Sequence, residues 1–304
     1  MLFRSTNSAA LATFSQVASP TTEQLNEIVF ANGQFTAVGG NGTIYTSPTG
    51  VTWTKRSTGF DRFADLNSVT WAGNQFVAVG STAFTSEPTL IATSPDGTSW
   101  TPVANTLKKE LNGVAFSGST LVAVGRNGAI ATSANGTAWS LKPSGTTLDL
   151  HGVIWARNQF VAVGGHESDD YESTGPGGSV VLTSPNGTTW TRRTVPTNRP
   201  LSAITFNGTQ FVAVGRSTGD GPQPGTAVVI TSPDGINWTA RDSQASTDLT
   251  SVASSGAQLI ATGLDYHLYA SADHGQTWTQ VPNTPTPETA WHGLYSIVRT
   301  SAGY

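Results

Sequence analysis

Leu66 to Trp100 reads LNSVTWAGNQFVAVGSTAFTSEPTLIATSPDGTSW, and Leu201 to Trp238 reads LSAITFNGTQFVAVGRSTGDGPQPGTAVVITSPDGINW. Both stretches open on Leu, run through a short apolar strand to the phrase FVAVG, continue through a second strand ending TSPDG, and close on Trp. The same order, with local variation, begins again at Leu25, Leu111, Leu150 and Leu249. A period of roughly 40–50 residues built from short strands is the mark of a β-propeller.

Each copy reads as one four-stranded antiparallel blade. In the copy at Leu111, strand A runs from Gly113 to Phe116, B from Leu121 to Gly125 and C from Ala129 to Thr132, and D starts at Trp139. Alternating apolar and β-branched residues suit strands packed on both faces. The C–D turn, Ser133-Ala134-Asn135-Gly136, carries the residues that accept positive φ and bond nearby amides.

The ends are read as a seventh blade. Leu294 to Val298 matches an opening strand A, Leu2-Phe3-Arg4 a strand B, Ala10 to Phe14 a strand C, and residues 15–19 an edge strand D. Residues 294–304 with 1–19 would then close the ring and leave no open sheet edge. The expectation is a single all-β domain over 1–304, a seven-bladed propeller. The start of the chain has Arg4, Ser and Ala and no acid, as a targeting peptide does. Its longest apolar run, Ala9 to Ala12, is too short for a secretory core, so blade closure is the reading taken.

Composition narrows function by exclusion. Charged residues make up 11% of the chain and the net charge is −4, which leaves no electrostatic footprint for nucleic acid. No apolar run of about 20 residues is present to span a membrane. Cysteine is absent, so disulfides and thiolate metal sites are excluded. Few Lys and abundant Thr, Ser and Asn point to an extracellular or periplasmic protein, expected to be a monomer.

The turn before each Trp resembles the Asp-box, or BNR, repeat, S-x-D-x-G-x-T-W. Ser271 to Trp278 fits it in full, while Ser94 to Trp100 and Ser232 to Trp238 are one residue shorter. Thr49, Asn135 and Asn186 stand at the acid position elsewhere. The whole phrase is most similar to the photosystem II assembly factor family and its bacterial relatives. That resemblance implies a propeller whose boxes are structural and whose function lies on the opposite face, among the B–C and D–A loops.

Three B–C loops are enlarged: 81–89, 165–179 and 217–226. The second gathers His166, Asp169, Asp170 and Tyr171, and the third carries Asp220. They form either a binding rim or solvated acidic loops. No metal site is expected, because EF-hand-like spacing is lacking. Ca²⁺ held by Asp169, Asp170 or Asp220 is the alternative, and no other cofactor is implied. Arg126 and Arg216 follow VG in two copies, and Arg4 follows Leu-Phe at the N-terminus. Three guanidinium groups at one register position suit a carboxylate-bearing ligand. The competing reading pairs them with the acids before strand A, Asp65, Glu110, Asp149 and Asp248.

Catalysis has thinner support. The positions after each opening Leu are short and polar, apart from His151 and Tyr295. His151, Asp169, Asp170, Tyr266 and His267 are the acid–base candidates. No G-x-S-x-G elbow is present. The expectation is a noncatalytic binding or scaffolding propeller for a glycan or a protein, with Arg4, Arg126, Arg216, His166, Tyr171 and Asp220 as contact residues. The alternative is a glycoside hydrolase or polysaccharide lyase working at the channel mouth.

Overall fold

The computed structural model describes residues 2–5, 14–17, 19–60, 64–82, 89–166, 177–217, 225–282 and 295–298. They build six four-stranded sheets, in each of which strands A to D pair in chain order. Blade 1 is Leu25–Ala31, Gln34–Gly39, Thr43–Ser47 and Thr54–Arg56, and blade 2 is Ala64–Trp71, Phe76–Thr82, Leu90–Ser94 and Thr101–Pro102. Blade 3 is Leu111–Phe116, Leu121–Gly125, Ala129–Ser133 and Ser140–Leu141, and blade 4 is Leu150–Ala156, Gln159–His166, Gly178–Ser184 and Thr191–Arg193. Blade 5 is Leu201–Phe206, Phe211–Gly215, Val228–Ser232 and Thr239–Asp242, and blade 6 is Leu249–Ser255, Gln258–Gly263, Leu268–Ser271 and Thr279–Gln280. The chain divides into two compact units. Pro20–Ala162 with Leu182–Arg192 holds blades 1 to 3, while Met1–Ser19, Val163–Val181 and Arg193–Tyr304 holds blades 5 and 6; strands of blade 4 fall in both.

The described residues give six blades, which corrects the expectation of seven. Among the described residues the N-terminal stretch gives two antiparallel strands, Leu2–Ser5 paired with Phe14–Val17, so the partner strand is Phe14–Val17 rather than Ala10 to Phe14. Residues 295–298 enter no strand. These stretches lack two parts that the other sheets share: a strand B carrying the Val-Gly or Thr-Gly end, and a Trp behind the C–D turn. Residues 295–298 do make one blade-like contact. The Ile297 N–H donates to Ser251 Oγ at 3.3 Å, and its side chain packs on Ile260, Leu268, Ala270 and Val281 of blade 6.

Strand period explains the stacking. In blade 2, Phe76 and Ala78 point into a core shared with Val38 and Ile44 of blade 1. Val77 and Val79 point the other way, into a core shared with Leu111, Val114 and Leu121 of blade 3. Val212 and Val214 of blade 5 pack likewise on Leu249, Leu259 and Trp278 of blade 6. Successive side chains of a strand face opposite sides. A central strand between two neighbours is therefore buried on both faces and mostly apolar, with small Thr residues such as Thr36 and Thr262 among its buried positions. The outer strands D are two to four residues long and carry Lys55, Arg56, Arg192, Arg193 and Arg241, which blunts an open edge.

Strand A starts with a register break. Leu66 pairs with Gly80, and the pairing resumes at Ser68 with Val79; the same shift occurs at Leu25, Leu111, Leu201 and Leu249. One residue is thereby left out of the ladder, as in a β-bulge. The break presses the carbonyl before strand A onto the Gly that ends strand B. A Cβ on Gly39, Gly80, Gly125 or Gly215 would lie 2.0, 1.9, 1.9 or 2.1 Å from a carbonyl oxygen. Gly125→Ala is therefore expected to cost about 3 kcal/mol or more, through forced backbone movement. Gly40→Ala, whose Cβ meets nothing closer than Asp65 Oδ1 at 3.4 Å, should stay within about 1 kcal/mol. Urea denaturation of the two variants checks the contrast.

The C–D turns are built alike from different residues. Asp96 Oδ1 accepts the N–H groups of Thr98 and Ser99 at 2.8 and 3.2 Å. Asn135 and Asn186 accept the matching pairs at 2.9 to 3.1 Å. Trp100 Nε1 donates to Gly97 O at 2.9 Å, as Trp53, Trp139, Trp190, Trp238 and Trp278 do to their own glycines. Where the acceptor is an acid, these donors favour its charged form. Asp96 is held low first by the Thr98 hydroxyl, and Asp234 first by the Asn237 N–H. At Asp273 desolvation pushes upward, but bonds from Thr277, Ser271 and Gln276 outweigh it and bring the carboxyl down to about 2. A lowered folded-state pKa means that this contribution to stability is complete above the unfolded value of about 4 and is lost as pH falls through about 2. Asp273→Asn should keep the turn, as asparagine does in two other blades, but lower stability at neutral pH, because the charged form's contribution is lost and the asparagine nitrogen cannot accept the Thr277 hydroxyl. It should also flatten the stability-versus-pH curve in that acid window, measured by thermal melts.

Candidate functional site

The residue left out by each register break is free to reach the next blade. Asn26 Nδ2 donates to Leu66 O at 2.9 Å, Asn67 to Leu111 O at 2.9 Å, and Asn112 to Leu150 O at 3.0 Å. The positions expected to line a channel mouth thus do structural work in blades 1 to 3. In blade 6, Thr250 turns back onto Thr262 of its own sheet at 2.8 Å. His151, the catalytic candidate at this register in blade 4, is half-buried in strand A.

One position further on sits an ionisable group that sequence reasoning passed over. Glu27 Oε2 accepts the Val69 N–H of blade 2 at 2.8 Å, and in the next blade Ser68 Oγ accepts Val114 N–H at 3.0 Å. Desolvation raises the Glu27 carboxyl to about 7, against the pull of its bonds to Ser68 and Val69. For an acid with a raised folded-state pKa, stability is greatest below the unfolded value of about 4.3 and declines as pH rises through about 7. Glu27→Gln should remove that decline, so the melting temperature of the variant should change less between pH 5 and 8 than that of the wild type.

Acids before strand A bind backbone first. Asp65 Oδ1 accepts Asn41 N–H at 3.1 Å, Asp149 Oδ1 accepts Asn127 N–H at 2.6 Å, and Asp248 Oδ1 accepts Ser217 N–H and Oγ–H, both at 2.8 Å. Each anchors the B–C turn of the preceding blade. The candidate arginines stand at one register in those turns: Arg126 and Arg216 donate their N–H groups to Glu110 O and Pro200 O, both at 3.1 Å. Arg126 reaches Glu110 Oε2 at 3.5 Å. Arg216 Nε lies 3.9 Å from Asp248 Oδ2, with its side chain 50% exposed. Arg199 completes this corner by donating to Ser217 O at 2.9 Å. It stands one residue before Pro200, where other blades carry an acid. The missing acid was the available signal for it.

At the same register blade 6 carries Leu264, which is exposed. The turn that follows joins the catalytic candidates Tyr266 and His267 to Asp265 and Tyr269. Asp265 accepts His267 N–H at 3.0 Å and Tyr269 O–H at 3.0 Å, and His267 Nδ1 lies 2.9 Å from Asp265 Oδ2. Burial, followed by the Asp265 carboxylate, pushes the Tyr269 phenol upward. The Tyr266 hydroxyl is buried without a partner among the described residues. His267 Nδ1 makes no hydrogen bond among the described residues despite that approach, whereas the bond from the His267 N–H pins a turn whose Tyr266 has φ +66°.

His166 ends strand B of blade 4 and is 5% exposed, so it is a buried residue rather than a rim contact. Arg4 lies in the hairpin strand opposite Ser15. Asp169, Asp170, Tyr171 and Asp220 lie outside the described residues, as do most of the three enlarged loops. Among the described residues no three His, Asp or Glu side chains gather as a metal site would require.

No protein-family model matches the chain, and no curated protein matches it. Solved structures do. YCF48 from Cyanidioschyzon merolae is similar with a TM-score of 0.66 at 20% identity, covering 90% of this chain and 89% of that one. YCF48 bound to D1 peptide is similar with a TM-score of 0.63 at 21% identity, covering 86% and 81%. Likeness at this identity carries the propeller fold.

Proposed function

We propose that this chain is a noncatalytic binding propeller that holds a peptide segment of a protein partner on its B–C turns. The observation that carries the reading is Arg216. It is half exposed, it approaches Asp248 only at 3.9 Å, and that carboxylate already accepts two bonds from Ser217. Its terminal nitrogens have no partner among the described residues. Such a group is suited to a carboxylate, from an acidic side chain or a chain terminus. A structure of similar fold holds a D1 peptide, and the repeat phrase resembles the photosystem II assembly factor family. Both support a protein partner over a glycan. The Ser-x-Asp/Asn turns, with the Trp bonded behind them, support the Asp-box reading of the repeats. An extracytoplasmic, monomeric protein without cofactor belongs to the same proposal on composition alone.

The test is a peptide array rich in acidic segments, run beside neutral and acidic polysaccharides, with product analysis for cleavage. The expected result is peptide capture that Arg216→Ala weakens by roughly tenfold or more, the value of a charge-assisted pair. Polysaccharide retention without peptide capture would replace this reading with a glycan-binding one. Cleavage lost in His267→Ala would make the Asp265–His267 pair catalytic and overturn it.

A further inference from the structure

The sequence Asn-Gly occurs seven times, beginning at Asn32, Asn41, Asn112, Asn127, Asn135, Asn186 and Asn207. This pair carries intrinsic chemistry. Glycine has no Cβ to keep its backbone nitrogen away from the preceding side chain. When that nitrogen attacks the asparagine Cγ, a new C–N bond closes a five-membered imide. The bond to the side-chain nitrogen breaks, and that nitrogen leaves as ammonia with the glycine amide proton. Water then opens the imide at either carbonyl, giving aspartate or iso-aspartate. Nothing is oxidised, and water is the only co-reactant.

The fold treats the seven copies differently. At Asn135 the carbonyl oxygen accepts Thr137 and Ala138 N–H at 3.0 and 2.9 Å, while the Gly136 nitrogen donates to Ser133 Oγ at 2.9 Å. Electrophile and nucleophile are both held. Asn186 is held in the same way, with Gly187 bonded to Ser184 Oγ at 2.8 Å. Asn207 is buried, and its oxygen accepts three bonds from Thr209 and Gln210. Asn112 is tied to Leu150 O within strand A. Asn41 is tied to Glu23 at 2.7 Å, and Gly42 donates to Ala64 O. Asn127 is exposed, but Gly128 is buried.

Asn32-Gly33 stands apart. The two residues form the A–B hairpin loop of blade 1 between the paired Ala31 and Gln34, at φ +50° and +75°, as a two-residue turn of the mirror-image type requires. Both are exposed. Neither the Asn32 amide nor the Gly33 N–H has a hydrogen-bond partner among the described residues. We propose that Asn32 is a site of spontaneous deamidation in the folded protein, and that the other Asn-Gly pairs are shielded by hydrogen bonds or by burial. The product matters to the seam beside it. Gln34, two residues on, donates from Nε2 to Asp96 O of blade 2. An iso-aspartyl link adds a backbone carbon inside that loop and draws Gln34 off its acceptor, and either product adds a negative charge.

The test is prolonged incubation of the native protein in mildly alkaline buffer made with heavy-oxygen water, followed by peptide mapping, with the urea-unfolded chain treated in parallel. The expected result is label at Asn32 in the native protein at a rate near that of the unfolded chain, and conversion at Asn135 and Asn186 slower by roughly tenfold or more, because their hydrogen bonds must first open. Label at Asn135 and Asn186 as fast as at Asn32 in the native protein would overturn the proposal, and so would protection of Asn32 equal to theirs. Peptide capture plays no part in this readout, so its outcome is independent of the binding proposal.

Discussion

In blades 1, 2, 3 and 5 the close approach of the carbonyl just before the opening Leu of strand A to the glycine of strand B is the constraint on which the rest of the blade depends. With no side chain at that glycine the strands can meet where the ladder slips by one residue. The slip leaves a single residue unpaired and aims it at the next blade. Where that residue is asparagine, it binds the neighbour's opening carbonyl. Just before the opening Leu of the next blade's strand A, an aspartate carboxylate catches the turn that follows strand B of the preceding blade. One steric requirement therefore places the internal pairing, the contact between blades, and the turns that carry the candidate binding groups.

Much of this was legible in the residues. The repeat of about 40–50 residues gave the propeller class, and the strands of the copy at Leu111 lie close to where the pattern placed them. The two-sided burial of FVAVG was legible from its lack of polar alternation. The seventh blade was not. Leu294 to Val298 resembles a strand A, but resemblance in five residues does not supply the ladder, turn and tryptophan that make the other sheets cohere. Ile297 docks on blade 6 and enters no strand.

The site was legible by position and not by atom. Sequence placed Arg126, Arg216 and the recurring acids in one neighbourhood and offered a ring of ion pairs. In the fold Asp65, Asp149 and Asp248 turn first to backbone N–H groups, and Arg216 approaches Asp248 only at 3.9 Å. A register argument knows which residues are near, but not which oxygen is already taken. The glutamine before FVAVG was in plain view, and its role was missed. Gln34, Gln75 and Gln210 reach the C–D turn carbonyls of Asp96, Asn135 and His274. A long amide beside a core phenylalanine reads as a loop residue until its neighbour in space is known.

Many polar contacts along the seams within each unit are made by side-chain amides, Asn26, Asn67, Asn112, Gln34, Gln75 and Gln210, which donate to backbone carbonyls, and by Ser68 Oγ, which accepts Val114 N–H. Such bonds carry little net charge, so mobile ions scarcely weaken them. The exposed Arg216–Asp248 approach is of the kind that counter-ions dissolve within a Debye length of about 10 Å at 0.1 M ionic strength. The molecule thus separates two responses to its medium. Brine should leave the stacking of the blades intact while it quiets the charged turns they display, and a protein of this kind can release a charged guest without loosening its own frame.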